Sequence, residues 1–265
     1  MRNKIFNSFK NKAASIISNN RRKSVLVFLY KLARWFINSY ENYNYNISTN
    51  GEEMVIGQMK LNNDAVVFDV RFNKGEWSKI VLKHYSEINI YSFEPQADLV
   101  SKVKKDFSSY KNVKLFDFGL SDITKTDEIY IYENHDFLSG IYNHPHDIAN
   151  VKKEVNFRDG SEVFFELGLQ KIDFLKIDVE GAEHLVLKGF EEVLKLGKIS
   201  AIQFEYGKGS INSKFLLKDY YEYLEPMGYK IGKIYPNYID FKSYNWNDEN
   251  FIGANYLAVL NASNV

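Results

Sequence analysis

The stretch FDVRFNKGEWS, Phe68 to Ser78, has the composition of a turn between a buried strand and a helix. It follows the apolar run AVVFDV (65–70) and precedes the helical pattern EWSKIVLKHY (76–85). Turns that bring the backbone close to a nucleotide commonly contain two glycines, because glycine adopts positive φ without steric cost. This turn has only Gly75, and Arg71 stands where the other glycine is expected. Positive φ at Arg71 would add strain of about 1 kcal/mol.

The rest of the chain alternates between predicted strands and helices. Strands are predicted at 88–95, 112–120, 172–179, 200–207, 230–236 and 250–261, and helices at 96–107, 180–197 and 213–229. Strands that are apolar on both faces and separated by single helices predict a mostly parallel α/β sheet covered on two sides. DEIYIYE (127–133) alternates as a half-exposed strand does, and the long irregular segment 134–151 is of the kind that tends to be functional or mobile.

Length and composition bound the domain organisation. The 265 residues suffice for one large α/β domain, predicted at 51–265, and a basic helical arm, predicted at 1–50. The absence of cysteine excludes disulfides and thiolate metal sites. The zero net charge conceals an asymmetry, since residues 1–40 hold nine basic and no acidic residues, which leaves residues 41–265 with a formal charge of −9. A domain this acidic is not expected to bind nucleic acid.

The arm contains SVLVFLYKLARWFINSY (24–40), which is apolar around much of a helix but interrupted by Lys31 and Arg34. Its longest apolar run is far shorter than the roughly 20 residues that span a bilayer. The first interpretation is a helix packed on the domain or on a second copy in a homodimer. The alternative is a peripheral membrane contact through residues 1–40, on an anionic surface. The predicted location is accordingly the cytoplasm, or the inner face of a membrane.

Acidic residues stand at the ends of five predicted strands: Asp69, Glu94, Asp117, Asp178 and Glu205. Ligands of open parallel sheets bind at the carboxyl ends of the strands, and a carboxylate buried there is costly without a partner. Glu94 follows Gly75 by 19 residues, close to the spacing of an acid that binds ribose hydroxyls. These residues predict a ribose-containing cofactor. The alternative for Asp69 is a cap of the following turn.

Four motifs, FDVRFNKGEWS, YSFEP, LSD and LKIDVEGAEHLVLKGF, together resemble the FkbM family of S-adenosylmethionine-dependent methyltransferases. The resemblance covers roughly residues 60–210 and leaves the arm outside. It implies a class I methyltransferase fold, which is a Rossmann-like sheet with helices on both faces and an antiparallel last strand. It also implies S-adenosyl-L-methionine as cofactor and methyl transfer to a hydroxyl oxygen of a sugar or natural product.

The resemblance also implies roles for individual residues. Asp69, Asn73 and Gly75 match the first cofactor loop, Glu94 matches the acid for the ribose, and Asp117 would lie near the adenine; the acids of the DVEGAE motif are Asp178, Glu180 and Glu183. The pattern departs at Arg71 and Phe72, where the family has small residues. Arg71 either swings out or binds the methionine carboxylate of the cofactor, or it blocks the pocket. Phe72 either shapes the pocket or packs under the helix.

Methyl transfer requires an oxygen held near the methyl group and a base for its proton. Asp178 is the first candidate for the base, and His144 or His146 of the HPH segment, or His135, is the second. Alternatively, Asp178 and Glu205 hold a divalent cation that orients a diol. The competing structural interpretation makes the histidines ordinary loop residues and places Glu183 and His184 on an exposed helix face.

The sequence therefore predicts an O-methyltransferase that acts on a saccharide or glycolipid, with the aromatic residues Phe137 and Tyr142 forming a wall for a sugar ring. The first alternative is a catalytically impaired binding protein of the same fold, motivated by Arg71. A nicotinamide enzyme is a further alternative, against which the lack of a GxGxxG motif argues.

Overall fold

The structure is a computed structural model that describes residues 2–132, 135, 138–143 and 148–261. The chain divides into two compact units, Met1–Tyr43 and Asn44–Val265. The first unit consists of helices α1 (Arg2–Asn19) and α2 (Ser24–Tyr40). Within the described part of the chain, no helix has both the length and the apolar character needed to cross a bilayer.

The second unit alternates strands with short helices. Its helices are α3 (Glu52–Gln58), α4 (Glu76–His84), α5 (Ala97–Val103), α6 (Gly160–Glu166), α7 (Glu183–Gly189), α8 (Glu191–Lys195), α9 (Gly209–Ser213) and α10 (Leu217–Leu224). Its strands are β1 (Val66–Val70), β2 (Asn89–Phe93), β3 (Val113–Phe116), β4 (Gly119–Ser121), β5 (Lys125–Tyr132), β6 (Asn150–Asp159), β7 (Ile172–Ile177), β8 (Ile199–Tyr206), β9 (Tyr229–Tyr235), β10 (Tyr238–Phe241) and β11 (Ala254–Leu260).

The main sheet has eight strands in the order β10-β9-β11-β8-β7-β1-β2-β3. β1, β2, β3, β7 and β8 are parallel, whereas β11 is antiparallel to both β8 and β9. The chain winds outward from β1 to β3 and then returns to the other side of β1, so the winding direction switches between β1 and β7. The expected Rossmann-like fold with an antiparallel last strand is confirmed.

Hydrophobic clusters lie on both faces of the sheet. Phe68 of β1 joins one cluster with Phe190, while the neighbouring Val67 joins the other with Trp77 and Phe174. Successive strand residues point to opposite faces, so burial of both sets explains why the strands are continuously apolar.

Among the predicted elements, two near the site were wrong in their extent. The strand predicted at 112–120 ends at Phe116, and Gly119 begins β4 of a second sheet with the order β4-β6-β5. A Cβ at Gly119 would lie 2.6 Å from the ring of Phe157, so close packing on β6 fixes this crossing. The helix predicted at 180–197 is two helices, and α7 begins only at Glu183 because Glu180 (φ 56) and Gly181 (φ 99) are left-handed.

Candidate active site

A cleft lies where β1, β2 and β7 end. This is the position at which open parallel sheets bind small molecules. Part of the irregular segment predicted to be functional, residues 139–141, contributes to its wall. The lining residues are Val70, Arg71, Glu94, Pro95, Gln96, Gly119, Leu120, Ile129, Ser139, Gly140, Ile141, Phe157, Val179, Ala182 and Leu185.

The turn after β1 folds against the end of β2. The backbone amides of Arg71 and Phe72 both donate to the carbonyl of Phe93, at 2.9 and 3.0 Å. Arg71 (φ 70) and Asn73 (φ 49) lie in the left-handed region, as does Gly75 (φ 74). The backbone therefore keeps the conformation that favours glycine although arginine occupies the position, and the strain expected at Arg71 is present.

Phe72 packs under the helix and is not among the described residues that line the cleft. Its buried ring meets Phe107 edge to face with centroids 5.0 Å apart. A Cβ at Gly75 would lie 2.4 Å from the ring of Phe72 and 2.6 Å from that of Phe107. Gly75 is thus required both by its φ and by the aromatic pair beneath it.

Glu94 stabilises the same turn through hydrogen bonds. Only 2% of the residue is exposed, and its two carboxylate oxygens accept from the backbone amides of Asn73 (3.0 Å) and Gln96 (3.1 Å). Burial raises the pKa of Glu94, and the charge of Arg71 opposes that rise. Because each carboxylate oxygen accepts more than one hydrogen bond, Glu94 can bind a ligand at the cleft while it holds the loop.

Asp69 is fully buried and does not cap the turn. Its carboxylate accepts from Ser78 Oγ at 2.7 Å and from Lys176 Nζ at 3.2 Å. Lys176 also donates to the carbonyl of Arg71 at 3.4 Å, so its ammonium supports the strained turn from below. Burial lowers the pKa of Lys176, but the nearby carboxylates, led by Asp69, outweigh burial and raise it. The sequence analysis missed Lys176, a lysine within the apolar strand IDFLKI.

A buried polar row crosses the sheet below the site. Ser92, Asp69, Lys176 and Gln203 lie in register on four adjacent strands, and Glu52 of α3 accepts from Gln203 at 2.6 Å. The residues two positions further along each strand are Glu94, Arg71, Asp178 and Glu205. Side chains two positions apart share one face, so the charged residues of the site continue the buried row to the end of the sheet.

Three carboxylates converge beside the cleft. One oxygen of each of Asp178, Glu180 and Glu205 lies within 4.8 Å of the others. Arg71 Nη1 lies 3.1 Å from Glu180 Oε1 and 3.5 Å from Asp178 Oδ1, and Lys176 Nζ lies 3.4 Å from Asp178 Oδ2. The structure thus brings together the predicted pair Asp178 and Glu205. Oxygen ligands of this kind suit Mg²⁺ or Ca²⁺.

The three carboxyl groups have different pKa shifts. Burial raises the pKa of Asp178, but Lys176 and Arg71 outweigh burial and leave it below its usual value. Burial and the charge of Asp178 raise the pKa of Glu180 to about 7. Burial, followed by the charges of Glu180 and Asp178, raises that of Glu205 well above its usual value. At neutral pH the cluster therefore contains an ionised Asp178 and a Glu180 that is close to half ionised.

Arg71 does not swing out of the site. Its side chain is 10% exposed and lines the cleft, with its guanidinium against the carboxylate cluster. Burial lowers the pKa of Arg71, but the acidic residues around it, led by Glu180 and Asp178, outweigh burial and raise it. Arg71 is therefore a fixed positive charge in an acidic site.

Glu183 and His184 are buried, which contradicts the interpretation of an exposed helix face. Glu183 Oε1 accepts from the amides of Val179 (2.9 Å) and Gly181 (3.2 Å), so it shapes the turn that presents Glu180. His184 stacks on Phe215 with centroids 5.0 Å apart, and its Nδ1 has no hydrogen-bond partner within the described ranges.

Other predicted site residues lie elsewhere. Asp117 is exposed and is not one of the described residues that form the cleft. The amide of His135 donates to the carbonyl of Tyr132 at 3.0 Å. His144, His146 and Phe137 lie outside the described residues.

Comparison with known proteins places the chain among methyltransferases. Residues 69–231 match the family model described as the methyltransferase FkbM domain. The AMB antimetabolite synthetase AmbE of Pseudomonas aeruginosa is 27% identical over 179 residues, which cover 54% of this chain and 8% of AmbE. The crystal structure of methyltransferase FkbM from Methylobacillus flagellatus KT superposes with a TM-score of 0.51 at 14% identity, and covers 77% of this chain and 45% of its own. The chain thus spans less than half the length of either relative.

Proposed function

Because the chain belongs to the FkbM family of S-adenosylmethionine-dependent methyltransferases, we propose that residues 51–265 transfer a methyl group to a hydroxyl oxygen of a saccharide or glycolipid. The observation that carries the proposal is the carboxylate cluster beside the cleft, which includes an acid, Glu180, with a pKa of about 7. A base that titrates near the working pH is best suited to accept a proton from an alcohol.

The family implies S-adenosyl-L-methionine as the cofactor, which would bind at the cleft and supply the methyl group on a sulfonium. Glu94 lines the cleft and accepts hydrogen bonds, so it would bind the ribose hydroxyls. The turn of Asn73 and Gly75 brings backbone close to the ligand. Arg71, as the cation that lines this end of the cleft, would bind the methionine carboxylate. The exposed Asp117 would contribute to the adenine site only from its rim.

Within the cluster we assign proton acceptance to Glu180 and orientation to Asp178. The ionised Asp178 lies between Lys176 and Arg71, and two cations make its carboxylate a weaker base. Glu180 has 19% of its side chain exposed, which leaves it accessible to an acceptor hydroxyl. Burial favours the protonated form of Glu205, which would donate a hydrogen bond. The arrangement thus separates the three carboxyl groups into three roles.

The convergent oxygens of the cluster support a saccharide as the proposed acceptor. Adjacent hydroxyls on a sugar ring each donate one hydrogen bond, and Asp178 and Glu180 offer acceptors at suitably short separation. Ile129, Ile141 and Phe157 supply an apolar wall for the ring face. Neutral sugars also avoid repulsion from this acidic site. A saccharide hydroxyl therefore satisfies the site better than an anionic acceptor.

A divalent cation at Asp178 and Glu205 is the alternative way to orient a diol. Their oxygens fit such an ion, but Arg71 already supplies positive charge at the same carboxylates. Methyl transfer measured with and without EDTA, followed by Mg²⁺, distinguishes the two arrangements. Transfer that survives EDTA supports Arg71 as the sufficient cation, whereas loss with Mg²⁺ rescue supports the metal.

The first test is calorimetric titration of S-adenosylhomocysteine into the full chain. We expect micromolar binding that Glu94→Gln removes and that Asp117→Asn changes less than tenfold. Transfer is then assayed with methyl-labelled S-adenosylmethionine on polysaccharide and glycolipid fractions, with alkali treatment to distinguish ethers from esters. Absence of alkali-stable label from every fraction, despite binding, would contradict the proposed acceptor.

A catalytically impaired binding protein is the second candidate, and the position of Arg71 in the cleft favours it. If Arg71 closes the site, the wild-type chain binds no S-adenosylhomocysteine and Arg71→Gly acquires binding. If Arg71 binds the cofactor carboxylate, the wild type binds and Arg71→Gly weakens that binding at least tenfold. Arg71→Gly therefore raises the affinity for S-adenosylhomocysteine in the first case and lowers it in the second, so titrations of the wild type and the variant decide between the candidates.

A further inference from the structure

Helix α2 presents large apolar side chains to solvent. The structure describes all 17 of its residues, and none is buried. Trp35, for example, is 65% exposed. The other exposed large apolar residues of α2 are Val25, Phe28, Leu29, Tyr30, Leu32, Phe36, Ile37 and Tyr40. A contiguous exposed surface of this character marks an interaction site rather than ordinary surface composition.

The two charged residues of α2 lie on one stripe of the helix. Lys31, Arg34 and Asn38 follow one another at spacings of three and four residues, which places them on one side. At 100° per residue, apolar side chains occupy roughly two thirds of the circumference of the helix. An apolar sector this wide beside a narrow cationic stripe is the pattern of a helix that lies in a membrane interface.

The charge of residues 1–40 indicates which kind of partner they bind. Residues 1–40 contain nine basic and no acidic residues, whereas residues 41–265 carry a formal charge of −9. A second copy of the arm would bring like charges together, which opposes pairing of two such helices. An anionic bilayer offers both an apolar interior for the aromatic side chains and phosphates for the basic ones.

We propose that residues 1–40 bind an anionic lipid bilayer, with α2 lying in the headgroup region parallel to the surface. Lys31 and Arg34 extend toward the phosphates, and Leu29 and Phe36 on the opposite side enter the acyl boundary. Trp35, at the edge of the apolar sector beside Lys31, lies at the level of the headgroups. The helix is too short and too interrupted by charge to cross the bilayer. This surface serves to attach the chain to a membrane, and the inference does not depend on the methyl-transfer proposal.

Tryptophan emission of the full chain tests the proposal directly. Trp77 is 4% exposed, whereas Trp35 and Trp246 are 65% and 79% exposed, so Trp246→Phe leaves Trp35 as the main solvent-sensitive probe. Vesicles of phosphatidylcholine and phosphatidylglycerol at 3:1 should shift the emission to the blue, and brominated lipid should quench it. Vesicles of phosphatidylcholine alone should produce little change. An unchanged spectrum with the anionic vesicles would overturn the proposal.

Sedimentation with the same vesicles tests the role of charge. Lys31→Glu with Arg34→Glu should weaken binding at least about thirtyfold, the loss expected for two basic residues near an anionic surface. The matched control, Lys102→Glu with Lys105→Glu, makes the same charge change at exposed positions of the second unit and should leave binding within about threefold. Equal loss in both variants would mean that net charge, not α2, governs attachment. A lipid-independent dimer that needs Trp35 would instead identify α2 as a self-association surface.

Discussion

Replacement of Arg71 by glycine separates backbone strain from electrostatics in the site. A non-glycine residue in the left-handed region costs about 1–2 kcal/mol of stability, which glycine would relieve. Glycine also raises the entropy of the unfolded chain, and this lowers stability by about 0.5–1 kcal/mol. Arg71→Gly would therefore stabilise the fold by at most about 1 kcal/mol if the side chain made no contacts.

The lost contacts act in the opposite direction. Arg71 lies 3.1 Å from Glu180 and 3.5 Å from Asp178, and its own side chain is 10% exposed. Removal of one partner of a buried ion pair costs about 3–5 kcal/mol. Because Glu180 and Asp178 are 19% and 36% exposed, solvent screening lowers the cost to about 2–3 kcal/mol. We expect a net destabilisation of about 1–2 kcal/mol at pH 8.

The destabilisation caused by Arg71→Gly should depend on pH. Glu180 has a pKa of about 7 with Arg71 present, and the pKa rises further without that cation. At pH 5.5 Glu180 is therefore protonated in the variant and Asp178 keeps Lys176 as its partner, so the difference from wild type should be smaller than at pH 8. Urea denaturation at pH 5.5 and pH 8, with fluorescence as the signal, measures both values.

Lys214→Gly is the matched control. Lys214 is also a long cation at positive φ (57°), but it is exposed. Its replacement should be neutral or stabilising by up to about 1 kcal/mol at both pH values. If Arg71→Gly behaves like Lys214→Gly at pH 8, then the contacts of Arg71 with the cluster contribute nothing to stability and the electrostatic reasoning is refuted.

The second prediction concerns the pH dependence of the wild-type fold. Because the pKa of Glu180 is raised in the folded state, its contribution to the free energy of unfolding is complete below about pH 4.5 and is lost as pH rises through 7. The free energy of unfolding from thermal melts should therefore decline between pH 5 and 8, and Glu180→Gln should remove up to about 3 kcal/mol of that decline. Lys176→Met should lower the free energy of unfolding by about 3–5 kcal/mol in urea titration, because it leaves buried carboxylates unpaired. Lys171→Met removes a half-exposed partner and should lower it by under about 1 kcal/mol, so equal losses would disprove the reasoning. Gly75→Ala should destabilise the fold by at least about 2 kcal/mol more than Gly168→Ala. Gly75 and Gly168 both have positive φ, but only a Cβ at Gly75 would meet packed aromatic rings. Similar losses of stability in the two variants would mean that the rings move aside.

The main sheet was predictable apart from the edge strand β10, because its other strands are largely apolar and are stopped by polar turns. The second sheet was predicted only in part, since β6 is largely exposed and reads VKKEVNFR, without the continuous apolar run of a buried strand. The break in the predicted helix 180–197 depends on Glu180 adopting positive φ. Local propensity does not predict that conformation, because neighbouring contacts from Glu183 impose it.

The site was predictable in its residues more than in its charges. The five strand-end acids were identified, and four of them, Asp69, Glu94, Asp178 and Glu205, are buried or adjoin the cluster. The signal that was overlooked is a repeat within the strands, in which a polar residue precedes each site residue by two positions: S-x-E, D-x-R, K-x-D and Q-x-E. The pairing of Asp69 with Lys176 depends on strand register, which sequence spacing alone does not supply.

The balance of charge in the cluster explains how Arg71 can coexist with a cofactor of this class. Arg71 lies against Asp178 and Glu180, Lys176 lies against Asp178, and burial raises the pKa of Glu205. Ionisation of Glu180 near pH 7 adds one negative charge to the cluster, and this charge attracts a sulfonium more than the neutral sulfur of the demethylated product. The ratio of the dissociation constants for S-adenosylhomocysteine and S-adenosylmethionine should therefore rise between pH 6 and 8, and Glu180→Gln should abolish the rise. A ratio independent of pH in the wild type would show that Glu180 does not act on the sulfonium, and would leave Arg71 as the only residue of the cluster that selects the ligand.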